Sequence, residues 1–116
     1  MGEANLAQTN EGFIYESQFV HTIKTVVVEW DEIKRQSNRR KHGWDFARAI
    51  EVFESDVLEY EDDREDYGET RMIAIGTIDN AVVLLVYAIY ADDVVRVISL
   101  RNALKGEMEV YYAALY

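Results

Sequence analysis

The stretch TRMIAIGTIDNAVVLLVYAIYADDVVRVISLR, from Thr70 to Arg101, decides the fold. Three runs rich in β-branched and aromatic residues, Thr70 to Ile78, Ala81 to Tyr90 and Val94 to Arg101, are strand candidates. Asp79-Asn80 and Ala91-Asp92-Asp93 separate them, the composition of tight antiparallel connections. A three-stranded meander follows. Its middle run is almost continuously apolar, as expected of a strand covered on both faces, whereas Val95, Arg96, Val97 and Ile98 alternate less cleanly.

Upstream, Thr25 to Trp30 (TVVVEW) reads as a strand, and Asp31 stands where a helix N-cap belongs. A helix from Glu32 to about His42 is expected, closed by Gly43 in the left-handed C′ position, with basic residues at the negative end of its dipole. Asp45 can cap a second helix, in which Phe46, Ala49, Ile50 and Phe53 recur at helical spacing. Val57 to Glu61 is a short strand candidate, and Asp62 to Gly68 is too charged to be anything but loop. Downstream, Leu104, Met108, Tyr111, Tyr112 and Leu115 mark an amphipathic C-terminal helix, weakened by Gly106. The order is β-α-α-β-β-β-α, an α+β fold with a mainly antiparallel sheet packed on helices. Residues 1–22, polar and without sustained period, read as a flexible N-terminal extension, and residues 23–116 as one domain.

At 116 residues and 49% hydrophobic composition, one domain with a real core is expected. The longest apolar run, Ala81 to Ala91, falls far short of the roughly 20 residues of a spanning helix, and Met1 to Phe13 lacks the pattern of a secretory signal. The expectation is a cytoplasmic protein without a membrane partner. The absence of cysteine excludes disulfides, thiolate zinc sites and a cysteine nucleophile. A net charge of -10 argues against sequence-blind nucleic-acid binding by the whole surface, but the charge is polarised. Lys34, Arg35, Arg39, Arg40, Lys41 and Arg48 fall within fifteen residues, while Glu51 to Glu69 carries ten carboxylates. Such polarity suits a phosphate on one side and a basic protein on the other; solvated helix and loop surface is the plainer account. The run EYEDDREDYGE lacks the order of a calcium loop, so no metal site is expected there.

Three ordered blocks resemble the BrnT family of toxins: VEWDEIKRQSNRRKHGWDFARAIEVF from Val28, DDREDYGETRMIAIG from Asp62, and RVISLRNA from Arg96. The first is similar to the family's E-W-D-x-x-K-x-x-x-N-x-x-K-H-G opening at Glu29, Trp30, Asp31, Lys34, Asn38, Lys41, His42 and Gly43. The second keeps Asp66, Tyr67, Gly68, Glu69 and Arg71, and the third Ile98, Ser99 and Arg101. The resemblance implies a RelE-like fold and metal-independent, cofactor-free endoribonuclease activity that inhibits translation. It also implies neutralisation by a basic BrnA-type antitoxin, through which alone operator DNA would be contacted; a homodimer within that complex is compatible with it. Two departures stand out. The family's last helix is usually basic, whereas Ala103 to Tyr116 has Lys105 against Glu107 and Glu109, and Glu65 stands where members often carry histidine. They suit an alternative, a diverged non-catalytic domain that only binds an antitoxin.

RNA cleavage without a metal needs a base for the 2′-hydroxyl, cations for the phosphorane and an acid for the leaving oxygen. The candidate set is Lys41, His42, Arg71 and Arg101. Histidine is the side chain whose charge changes nearest neutral pH, and arginine's fork can hold two phosphate oxygens. Three of the four have a plainer role: His42 as a helix C-terminal residue favoured by the dipole, Lys41 as surface charge, Arg71 as a loop pin paired with Glu69 or Asp66. Arg96 and Arg101, five positions apart, point to opposite faces of a strand unless it ends or bulges; Arg101, at the strand's end, is the preferred one. Trp30 is expected in the core.

Overall fold

The computed structural model describes the backbone at residues 5–8, 12–19, 22–91 and 93–116, with side chains at 27–91 and 93–116. Among the described residues, seven strands form one sheet: β1 (Asn5–Gln8), β2 (Gly12–Phe19), β3 (Thr22–Glu29), β4 (Leu58–Glu61), β5 (Thr70–Ile78), β6 (Ala81–Ala91) and β7 (Val94–Asn102). Their order is β1-β2-β3-β7-β6-β5-β4, with β3 and β7 parallel and the other neighbours antiparallel. Three α-helices among the described residues complete the α+β fold: α1 (Glu32–His42), α2 (Ala49–Glu54) and α3 (Lys105–Leu115). Of residues 1–22, read as an extension, the described backbone at Asn5–Gln8 and Gly12–Phe19 is strand paired at the sheet edge; residues 1–4, 9–11, 20 and 21 lie outside the described residues.

The local signals act as the residue types dictate. Asp31 caps α1, its carboxylate accepting the N–H groups of Ile33 and Lys34 at 2.9 and 3.1 Å. Gly43 closes it at φ 79°, donating to the Arg39 carbonyl at 2.8 Å. Asp45 does cap the next element, but that element begins as a 3-10 turn, Phe46–Arg48, before α2. Asp45 also receives both Nε and Nη2 of Arg35, at 2.7 and 2.9 Å, which ties α1 to this turn. Asp79 and Asn80 have φ of 52° and 66°, the doubly left-handed backbone of a two-residue hairpin turn between β5 and β6.

The sheet buries both faces at β6, as its unbroken apolar run requires. Toward α1 and α2, Val83, Leu85 and Tyr87 join Val28, Trp30, Phe46, Ala49, Ile50, Val52, Val97 and Leu100 in the main core. On the opposite face, Val82 and Leu84 pack with Ile73, Ile75 and Tyr111 beneath α3. The C-terminal helix buries a narrower stripe than its pattern suggests. Tyr111 is buried and Met108 half-buried, whereas Leu104, Tyr112 and Leu115 are exposed, because α3 meets the sheet along one edge near β4 and β5. Tyr111 is anchored there by its hydroxyl, which donates to the Asp56 carbonyl at 2.6 Å.

Candidate functional site

The pairing of β6 with β7 contains the detail that shapes the site. Val86 faces Ser99 but its neighbour Tyr87 faces Val97, so Ile98 is an extra residue, a bulge. The irregular alternation in VRVIS is the trace of this bulge. It reverses the face of everything after it: Arg96 and Arg101, which a regular strand would set on opposite sides, both lie on the α3 face. Three cross-strand rows follow on that face: Glu29, Arg96, Ala88 and Arg71; then Ser99, Val86 and Ile73; then Arg101, Leu84 and Ile75.

The bulge also lies where β7 loses a neighbour. Strand β3 pairs with β7 only as far as Glu29 opposite Arg96, and the edge beyond is occupied by α1 through Asn38. Its buried amide donates to the Leu100 carbonyl at 2.8 Å and the Trp44 carbonyl at 3.1 Å, and its oxygen accepts from the Leu100 N–H at 3.2 Å. One side chain thus supplies the ladder bonds that a missing strand would make. Trp44 continues the contact, its indole N–H donating to Asn102 at 2.7 Å. Together these bonds seat the C-terminal turn of α1, with Lys41 and His42, beside the bulge.

Two depressions result, and Ser99 lines both. The first, of about 250 Å3, lies between Lys34, Lys41 and His42 of α1 and Ile98 and Ser99 of the bulge. Lys41 is exposed and His42 half-buried. The second, a cleft of about 440 Å3, includes Tyr60, Asp62, Arg64, Ser99, Arg101 and Glu107. Arg101 donates through both terminal nitrogens to Glu107, at 2.8 and 2.9 Å, and its guanidinium holds the Glu107 carboxyl below the usual range. Arg64 grips Asp62 in the same way, at 2.7 and 2.8 Å, and holds that buried carboxyl down at about 2.

The sequence-derived residues therefore divide. Lys41 and His42 share one depression and meet the Arg101 cleft through Ser99. Arg71 stands apart, on the same face but two strands away and four residues along from the Arg101 row, roughly 16 Å between Cα atoms at ordinary strand spacing. It lies 4.1 Å over the Tyr67 ring and pairs with Glu69 at 3.1 Å, so it holds the loop before β5. Sequence reasoning missed Arg64 and the site position of Ser99. Arg64 is hidden among carboxylates in the chain, and the ISLR spacing that carries Ser99 becomes a site only once the bulge turns it.

This α+β domain, with basic and imidazole groups gathered at a strand bulge, falls in a class defined by its relatives. Residues 30–107 match the family of ribonuclease toxins, BrnT, of type II toxin-antitoxin systems. The chain belongs to the BrnT family. It is similar in structure to the Brucella abortus ribonuclease toxin BrnT, known at 1.1 Å resolution, with TM-score 0.52 and 32% identity, covering 66% of this chain and 94% of that one. No curated protein matches the chain. Among the described residues no helix is long and apolar enough to cross a membrane.

Proposed function

We propose that this protein is a cytoplasmic endoribonuclease toxin, its catalytic unit residues 23–116, which cuts RNA, inhibits translation and is neutralised by a basic BrnA-type antitoxin. The observation that carries the reading is the meeting, at Ser99, of the depression holding Lys41 and His42 with the cleft holding Arg101. A phosphodiester laid across β7 would have imidazole on one side and guanidinium on the other. His42 takes the proton of the 2′-hydroxyl, whose oxygen attacks phosphorus; Lys41 and Arg101 stabilise the phosphorane; the 5′-oxygen leaves on the far side with a proton from water. The products are a 2′,3′-cyclic phosphate and a 5′-hydroxyl. Arg71 supports the set from outside, fixing the loop that carries Arg64. Polarised charge supports the antitoxin assignment, since the acidic span Glu51 to Glu69 offers a basic chain a docking face. Contact with operator DNA is then indirect, through the antitoxin.

The test is cleavage of a labelled RNA by antitoxin-free protein. His42→Gln and Arg101→Ala should each lower the rate by about a hundredfold, the scale of removing one transition-state contact, with a small drop in melting temperature for Arg101→Ala because its pair with Glu107 is lost. Intact RNA at high enzyme excess would refute the assignment.

A second reading has its own observation. Both cleft arginines are neutralised by carboxylates, and α3 carries Lys105 against Glu107 and Glu109, so a diverged member that only binds an antitoxin is the alternative. Growth arrest on expression separates the two.

A further inference from the structure

The cleft on the α3 face presents two guanidinium forks, and both are occupied. Arg101 spends its terminal nitrogens on Glu107 and Arg64 its Nε and Nη2 on Asp62. The two cations line the same cleft. A fork that fits two carboxylate oxygens fits two phosphate oxygens equally well.

The two carboxylates are held differently. Asp62 is buried and accepts from the Arg64 backbone N–H and the Tyr67 hydroxyl as well as from the guanidinium, so it is part of the loop's framework. Glu107 sits in the first turn of α3 with 26% of its side chain exposed. Its further bond is from the Leu104 N–H, at 2.8 Å, which water can replace at a helix N-terminus open to solvent. Rotation of this one side chain would free the two N–H groups that Arg101 gives to Glu107, while the bond from Nη1 to the Asn102 carbonyl, at 3.1 Å, stays and holds the guanidinium in place.

We propose that Glu107 occupies the phosphate position on Arg101 in the free protein, and that an RNA phosphodiester binds this cleft by displacing it, with Arg64 as the second cation. The ligand class rests on the ribonuclease reading. Glu107 is thus a positioning residue that acts through Arg101, and it sets the threshold for RNA entry.

The experiment measures binding of a 2′-O-methylated RNA oligonucleotide, which lacks the attacking hydroxyl, alongside cleavage of ordinary RNA. Glu107→Gln removes the charge but keeps an oxygen for the Leu104 N–H. It should bind roughly five- to tenfold more tightly than the parent, the scale of one partly shielded ion pair, and Arg101→Ala in the same background should abolish the gain. Glu109→Gln, an equal charge change on the exposed side of α3, should leave affinity unaltered. If Glu107→Gln does not fold, Glu107→Asp, which keeps the charge on a shorter stem and loosens the fork, should show a smaller gain. Equal gains in the Glu107 and Glu109 variants, or no gain in either Glu107 variant, overturn the proposal, even if the parent cleaves RNA. Tighter binding dependent on Arg101, with no cleavage by any variant, upholds this site and removes the ribonuclease reading.

Discussion

Asn38 shows how much one residue can carry. Its amide meets Leu100 on both backbone groups and Trp44 on a third, and the two bonds to Leu100 are buried by the packing of α1 on β7. Asn38→Ala leaves those groups without partners where water enters poorly. A loss of about 2–3 kcal/mol is expected in urea unfolding, with lower activity because Lys41 and His42 lose their seat. A change under about 0.5 kcal/mol would mean that α1 is held by other contacts. The sequence offered Asn38 only as a motif letter; its role depends on β3 ending at Glu29, a fact of strand pairing that no local pattern contains. Asp31, Gly43 and Asp45 were legible because a cap is a property of four consecutive residues.

At the scale of elements, two glycines make different predictions. Gly43 at φ 79° has open space around an added Cβ, so Gly43→Ala carries the left-handed backbone cost alone, about 1 kcal/mol. At Gly76 in β5, the added carbon would lie 2.5 Å from Ser55 Oγ, the same atom that donates to the Val52 carbonyl at 2.7 Å and accepts from the Thr77 N–H at 3.1 Å. Gly76→Ala must push α2 from the sheet, and about 2–3 kcal/mol is expected, read as a lower denaturant midpoint. Equal effects at the two sites would contradict the close approach. The strands β5, β6 and β7 were legible from composition, and the hairpin from Asp79-Asn80. The 3-10 turn before α2, the narrow buried stripe of α3 and the bulge at Ile98 were not, since each is decided by what lies across the sheet. The bulge matters most, because it moves Arg101 to the face it shares with Arg64.

For the whole molecule, the charge network sets a pH window. Asp45, Asp62 and Glu107 are held below their ordinary values by Arg35, Arg64 and Arg101, so each binds a proton less readily folded than unfolded. Their contribution is complete above about pH 4, the unfolded carboxylate range, and is lost as pH falls toward about 2, where Asp62 titrates in the folded chain. Burial, helped by its bond to Glu59, raises the Tyr87 phenol; that contribution holds below about pH 10 and is lost above it. The urea midpoint should therefore be flat through neutrality and fall on both sides, and Asp62→Asn should flatten the acid limb. A midpoint unchanged from pH 5 to pH 2.5 would show that these pairs hold the loop without stabilising the fold.

The family, the bulge and the two depressions that meet at Ser99 converge on one claim, that Arg101 works on an RNA phosphate beside His42. Its most direct test is cleavage of a labelled RNA in EDTA by the isolated protein and by Arg101→Ala prepared in parallel. Cleavage by the parent, ending in 2′,3′-cyclic phosphate and reduced about a hundredfold in the variant, is the predicted result. Cleavage of equal rate in both, or by neither, would contradict it.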